Sequence, residues 1–189
     1  MRRGTGRLAD SARFHLRAET AEAHERLDAL FSRFHLANPS QYAQFLKAQA
    51  GAFMAVEAAL DAAGAEAVVP DWPARRRSQA LCDDMAALGE AVPAPLALPG
   101  IVGEPAILGA LYVLEGSRLG GAMLVRTVPD ASPKSFLTPG NPVLWRTFIA
   151  ILDERLSSGD ERAEAARSAR AVFDLFATSA RRVLGADRS

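Results

Sequence analysis

Three histidines are the chain's first candidates for metal or proton chemistry. His15, His24 and His35 all fall in or at the end of one stretch that apolar spacing makes helical. At about 100° per residue, His15 lies on the opposite face from His24. His35 returns to the face of His24 but roughly 16 Å further along, beside the helix-ending Asn38-Pro39. No two of them can therefore share one ion. The zinc pairing His-Glu-x-x-His is absent, and Ala21 stands three residues before His24, where a di-iron carboxylate site requires Glu. What the pattern leaves is one axial histidine on a metal that brings its own equatorial ligands, which is the situation of haem. The competing reading is a half-buried helix histidine, since His24 sits at the edge of the apolar stripe between Thr20 and Leu27.

Arg17 lies two turns before His24 on the same face, roughly 10 Å away, about the distance from a porphyrin iron to its propionates. Its planar fork suits carboxylates, although a lone helix arginine is also an ordinary solvated charge. A second stretch, Tyr112 to Leu124, is helical by apolar spacing yet holds Gly116, Gly120 and Gly121. That trio costs a helix interior on the order of 2–3 kcal/mol relative to alanine. Tyr112, Gly116 and Gly120 recur at four-residue steps and share one face. By spacing alone, a small-residue face for close helix packing and a backbone wall against a flat ligand stand level. Ser117 could donate a hydrogen bond or hold water. Arg118 reads as a surface charge, and Cys82, beside Leu81 and Met85, as an inert buried thiol. No glycine-rich phosphate loop of the Walker type is present.

These residues must be carried on helices. Asp10 or Ser11 can cap a first helix running to about Leu36, and Ser40 a second one ending near Gly64 with Gln49 as a polar interruption of its buried face. Pro70–Pro73 reads as a turn, followed by a shorter helix around 75–88. The proline-rich Val92–Gly100 segment is non-helical. The glycine-bearing helix spans about Glu104–Val128, and Asp130–Gly140 is loop. Asn141-Pro142 starts a helix ending near Gly159, and Asp160 starts a last one with Gly185 as its stop. Six or seven helices in one all-α, single-domain bundle over residues 1–189 are predicted, with residues 1–9 as a flexible start.

Composition supports this. The chain is 189 residues long and 49% hydrophobic, rich in alanine and poor in β-branched residues, which favours helix over sheet. Lys+Arg and Asp+Glu both number 22, so no global basic field is available for nucleic acid, and no polybasic run marks a membrane surface. One cysteine allows no internal disulfide and fits a reducing compartment. There is neither a secretory signal nor a run of about 18 apolar residues, so a cytoplasmic location is expected.

Two segments together resemble the bacterial haem oxygenases, especially those associated with bacteriophytochromes. Leu16–Asp28 looks like the family's proximal-helix motif, and Leu108–Gly121, containing Tyr112-Val113-Leu114-Glu115-Gly116-Ser117, looks like its distal-helix motif. The resemblance implies haem b, at once substrate and cofactor, held between a proximal helix and a distal helix kinked over it. His24 would be the proximal iron ligand, with Thr20 beside it and Asp28 holding the other imidazole N–H. Arg17 and Tyr112 would contact propionates, joined by Arg146 on a C-terminal helix. Gly116, Ser117, Gly120 and Gly121 would form the catalytic distal wall. The implied reaction consumes dioxygen and electrons from an external reductase or ferredoxin and yields biliverdin, carbon monoxide and iron. A bacteriophytochrome is the implied acceptor of biliverdin. One departure stands out: no acidic residue lies between Gly116 and Val128 to match the distal aspartate of the mammalian-type enzymes. A haem-binding sensor or carrier without turnover, and a partner-binding protein on the same scaffold, are the alternative functions.

Overall fold

A computed structural model describes residues 11–186 of the chain. Eight α-helices are present among the described residues, two of them single turns, and no strand. They are α1 (Ala12–Phe31), α2 (Pro39–Ala62), α3 (Ala65–Val68), α4 (Trp72–Arg75), α5 (Ser78–Ala87), α6 (Glu104–Leu124), α7 (Pro142–Arg155) and α8 (Gly159–Ala186). Two 3-10 turns, Val125–Thr127 and Ser135–Leu137, follow α6. None of the helices is long and apolar enough to cross a membrane.

The helix starts show how local chemistry sets the elements. Asn38, one residue before Pro39, accepts from the Ser40 and Gln41 N–H groups at 3.0 and 3.3 Å, so the cap of α2 is Asn38 rather than Ser40. Asn141 does the same for α7 through the Val143 N–H at 2.9 Å. Ser11 supplies no side-chain cap to α1. Asp153 of α7 performs that task from a distance, accepting from the Ala12 N–H at 2.8 Å and the Ser11 hydroxyl at 2.9 Å. The alternative cap, Asp10, lies outside the described residues, as do residues 1–9.

Several boundaries differ from the sequence reading. Helix α1 ends at Phe31 rather than near Leu36, yet Phe34 and Leu36 stay buried because the chain continues inward as turns. Residues 65–75 hold two helical turns where one turn region was expected. Gly185 does not stop α8, which continues to Ala186.

The long α8 is the axis of the bundle, packed most extensively against α6 and then against α1 and α2. Its approach to α6 requires a glycine. A Cβ on Gly109 would stand 2.0 Å from the Ala165 carbonyl oxygen, so the two backbones meet directly. Around this axis Phe45, Phe53, Leu108, Leu111, Phe148 and Val172 form one continuous core. The proline-rich segment is pinned to it by the Leu96 N–H, which donates to the Gly51 carbonyl at 2.8 Å. Buried Asp84 anchors the second 3-10 turn, accepting from the Ser135 and Phe136 N–H groups at 3.0 and 2.8 Å. That anchor sets Phe136 under the C-terminal half of α6.

The candidate haem cleft

Between α1 and α6 lies a cleft of about 650 Å³, within the range of small-molecule and cofactor sites. His24 lines it from α1, and the Asp28 carboxylate one turn later stands 3.0 Å from its Nδ1. The adjacent carboxylate selects the tautomer with the proton on Nδ1, leaving the Nε2 lone pair for a metal. Phe173 of α8 meets the imidazole edge-on at 5.7 Å between centroids and limits its rotation. His15 does not line the cleft, and its Nε2 is buried without a partner. His35 lines a neighbouring cavity of about 540 Å³. No group of three or more His, Cys, Asp or Glu among the described residues is placed to hold a metal ion.

The glycines of α6 divide by what their missing side chains would meet. A Cβ on Gly116 or Gly120 finds nothing within 4 Å, so the helix presents bare backbone to the cleft there. Gly121 also borders the cleft, but its own Cβ would touch Leu137 at 3.4 Å, so its smallness serves packing on the 3-10 turn. Helix α6 is continuous from Glu104 to Leu124, and the glycines do not interrupt it.

At one end of the cleft Tyr112, Thr20, Arg13 and Arg17 come together. Burial pushes the Tyr112 hydroxyl up from its ordinary value, and the nearby Arg13, Thr20 and Arg17 offset part of that rise. The Thr20 hydroxyl donates to the Leu16 carbonyl at 2.7 Å. Arg146 is not brought to this end. It is exposed on α7 and does not line the cleft, whereas its neighbour Trp145 does. Successive helix residues point about 100° apart, so turning Trp145 inward turns Arg146 away. Arg13, stacked on Trp145 at 5.6 Å, takes the position expected of Arg146.

Ser117 also differs from expectation. Its hydroxyl donates to the Leu114 carbonyl at 2.7 Å and accepts from Arg77 Nη2 at 2.6 Å, so its one proton is already committed. Arg77 is the residue that the sequence reading missed. Its guanidinium lies against the edge-to-face pair Phe53 and Phe136, 4.8 and 5.0 Å from their ring centroids, and the residue borders the cleft. Burial, reinforced by Arg118 and opposed by Glu115 and Glu57, pushes it down to about 9, which leaves it charged at neutral pH.

A buried ionic network holds this wall in place. Arg75, fully buried, reaches Glu115 of α6 at 2.8 Å and grips both oxygens of Asp71 at 2.6 and 2.8 Å. Arg118 is no free surface charge: it donates to the Arg75 carbonyl at 2.6 Å, and its side chain is only 15% exposed. Buried Glu57 of α2 accepts from the Arg77 and Ser78 N–H groups at 2.6 and 3.2 Å, fixing the start of α5. The one signal in the sequence was Glu115 itself, a carboxylate amid the apolar run of α6.

The residues fit haem as a ligand: one imidazole with a free nitrogen, bare helix backbone, and a cationic end with a phenol for two carboxylates. Comparison with known proteins points the same way. No family model matches the chain. A haem oxygenase of Xanthomonas campestris is 39% identical over 114 residues, covering 57% of this chain and 68% of that protein. The haem oxygenase PigA of Pseudomonas aeruginosa is 29% identical across 88% of this chain and 92% of its own. Among solved structures, the NO- and CO-bound haem oxygenase of Neisseria meningitidis superposes with a TM-score of 0.74 at 25% identity, covering 93% and 92% of the two chains. The haem oxygenase of Leptospira interrogans shares the fold, with a TM-score of 0.70 at 18% identity over 90% and 98%. With its imidazole–carboxylate pair on α1 and bare glycines on α6 around one cleft, and with this kinship, the chain belongs to the haem oxygenase family.

Proposed function

We propose that this chain, acting as a single domain, binds haem b as its substrate between α1 and α6. With dioxygen and external electrons it opens the macrocycle to a biliverdin, releasing carbon monoxide and iron. The observation that carries the reading, beside family membership, is that His24–Asp28 and the bare Gly116 and Gly120 border the same cleft.

Haem supplies the iron at which dioxygen chemistry occurs, and the protein supplies geometry and hydrogen bonds. His24 would hold the iron through Nε2, while Asp28 accepts a hydrogen bond from Nδ1–H and holds the ring's orientation. Arg13 and Arg17, with the Tyr112 hydroxyl, bind the propionate carboxylates, Thr20 standing beside Tyr112. Gly116 and Gly120 leave bare helix backbone on the wall that would face the macrocycle. Leu119, Phe136 and Phe173 make part of the surrounding wall apolar. No flavin or nicotinamide motif is evident, so a separate reductase or ferredoxin delivers the electrons, and a bacteriophytochrome is the proposed acceptor of the product.

Haemin added to the purified chain should give a Soret band that the His24→Ala variant loses or weakens strongly. Adding ascorbate under oxygen should then bleach that band while biliverdin absorbance grows. A persistent ferrous or oxygenated spectrum without bleaching would refute turnover, and absence of a His24-dependent band would refute haem binding.

A further inference from the structure

The cations at the carboxylate-binding end of the cleft come from α1, but one of them is held by α7. Other arginines along this flank are paired, Arg26 with Glu22 and Asp174 and Arg170 with Glu19. Arg13 and Arg17 have no carboxylate partner among the described residues. A cation in that condition beside a cleft can take its counter-charge from a ligand. Ordering a long side chain at that moment costs rotamer freedom, so one ordered beforehand binds better.

Arg13 is ordered in this way. Its guanidinium carbon lies over the Trp145 ring at 5.6 Å and over the ring of its neighbour Phe14 at 5.8 Å, distances at which aromatic faces attract a cation. A ring face engages the guanidinium without consuming its N–H groups, so the planar fork stays available for a carboxylate. Trp145, which lines the cleft, is in turn fixed from behind. Its ring meets Phe148 at 6.3 Å, and fully buried Phe148 lies under the Arg75 guanidinium at 5.7 Å. Arg75 Nη2 also donates to the Leu144 carbonyl at 3.0 Å and the Thr147 hydroxyl at 3.1 Å, both in the turn that carries Trp145. The same arginine grips Glu115 of α6, so the placement of Trp145 is tied to the glycine-bearing wall. The indole N–H of Trp72 is spent on Asp61 at 2.7 Å, whereas that of Trp145 has no acceptor among the described residues. Trp145 is therefore held by its ring and not by its polar atom.

We propose that Trp145 is a positioning residue whose indole face holds the Arg13 guanidinium in place before the ligand arrives, so that the cleft prefers a macrocycle with free carboxylates over its esterified form. The task expected of Arg146 is then divided between two helices. Arg13 brings the charge from α1, and Trp145 brings the placement from α7.

This inference rests on the haem-binding reading, and the test separates the two. The chain and its variants are titrated with haem and with haem dimethyl ester, and the ratio of the two dissociation constants measures carboxylate recognition. Arg13→Ala and Trp145→Leu should each lower the preference for the free acid about 3- to 10-fold, while ester binding by Trp145→Leu stays within about threefold. The double variant should fall no further than Arg13→Ala alone, because Trp145 acts through Arg13. Trp145→Phe keeps a ring face and should retain the preference within about twofold. Trp145→Met carries the expectation of the leucine variant should that one not fold. A preference within about twofold of the original in either variant overturns the proposal. Equal losses of haem and ester also overturn it, by making Trp145 only a wall of the cleft. So do additive losses in the double variant, and so does a full loss in Trp145→Phe, which would assign the effect to the indole N–H. If the unaltered chain takes up no haem through His24, the functional reading fails together with this one; if haem binds normally and Trp145 has no effect on the preference, this one fails alone.

Discussion

Replacing single glycines of α6 by alanine should produce opposite effects at two positions eleven residues apart on one helix. At Gly109 the new Cβ would lie 2.0 Å from the Ala165 oxygen and 2.7 Å from its carbonyl carbon. Restoring an ordinary 3.4 Å contact requires α6 and α8 to separate by about 1.4 Å along the most extensive interface of the bundle. Overpacking of this kind costs about 3 kcal/mol, against roughly 0.5–1 kcal/mol gained from helix propensity, a net loss of about 2 kcal/mol. For a chain of this size that lowers Tm by about 4–8 °C. At Gly120 the Cβ meets nothing, so only the propensity gain remains and the haem-free chain should melt about 1–4 °C higher. The same methyl enters the cleft, and a tenfold loss of haem affinity would remove about 1.4 kcal/mol of ligand stabilisation. Calorimetry with and without haemin reads both effects: Gly120→Ala should be more stable empty and less stable loaded than the original. If Gly120→Ala instead lowers the haem-free Tm as Gly109→Ala does, the face of Gly116 and Gly120 is a packing surface and the distal-wall argument fails.

Removing the partner of His24 should act on the ligand rather than the fold. Asp28→Ala is expected to weaken haem binding about 10- to 100-fold while denaturant stability moves by less than about 0.5 kcal/mol, since both side chains are more than half exposed; a Kd unchanged by haemin titration would detach Asp28 from the site. Arg13→Ala and Arg17→Ala should weaken binding of haem but hardly that of haem dimethyl ester, and Arg146→Ala should change neither. Equal sensitivity of Arg146 would put the propionates elsewhere. Glu115→Ala leaves the buried Arg75 with Asp71 as its one remaining carboxylate and should cost about 3 kcal/mol by denaturant titration, a loss below about 1 kcal/mol contradicting the network. The chain's two tyrosines, Tyr42 and Tyr112, are both pushed up, chiefly by burial, so absorbance near 295 nm should show little phenolate at pH 10. Each phenol binds its proton more tightly folded than unfolded, so the phenols' contribution to stability holds below about pH 10 and falls as pH rises beyond it. Normal ionisation near pH 10 in the native chain would show that these hydroxyls are solvated.

The helical architecture is legible because its signals are local. Asn38-Pro39 and Asn141-Pro142 each combine a side-chain acceptor with a residue that has no N–H to satisfy, and both begin helices. Where the cap is remote the sequence is silent: nothing near Ser11 points to Asp153, which lies more than a hundred residues away. The end of α1 was obscured for a related reason. Phe34 and Leu36 keep the apolar rhythm after Phe31, but they reach the core from turns, so burial periodicity outlasts the helix itself.

The site divides along the same line. His24, Asp28 and Arg17 share one helix, and their spacing alone places them around one face. Spacing could not say what stands opposite a glycine. Gly109 faces the Ala165 backbone, Gly121 faces Leu137, and Gly116 and Gly120 face the cleft, so one helix uses glycine both for packing and for an open wall. Arg75-Arg76-Arg77 shows the limit most clearly. As a sequence it is a short basic run of the kind that coats a surface. In the fold Arg75 is fully buried against Asp71 and Glu115, Arg76 is about half exposed, and Arg77 packs against a pair of phenylalanines. Their fates differ because residues 71–77 leave the helical turn of α4 just there, at Arg76, whose backbone is extended. Successive side chains are thereby sent to different neighbours, each contributed by a distant element. The wall of the cleft is thus built not by the glycine-bearing helix alone, whose pattern is visible in the sequence, but also by an arginine that a break in a short helix delivers to it.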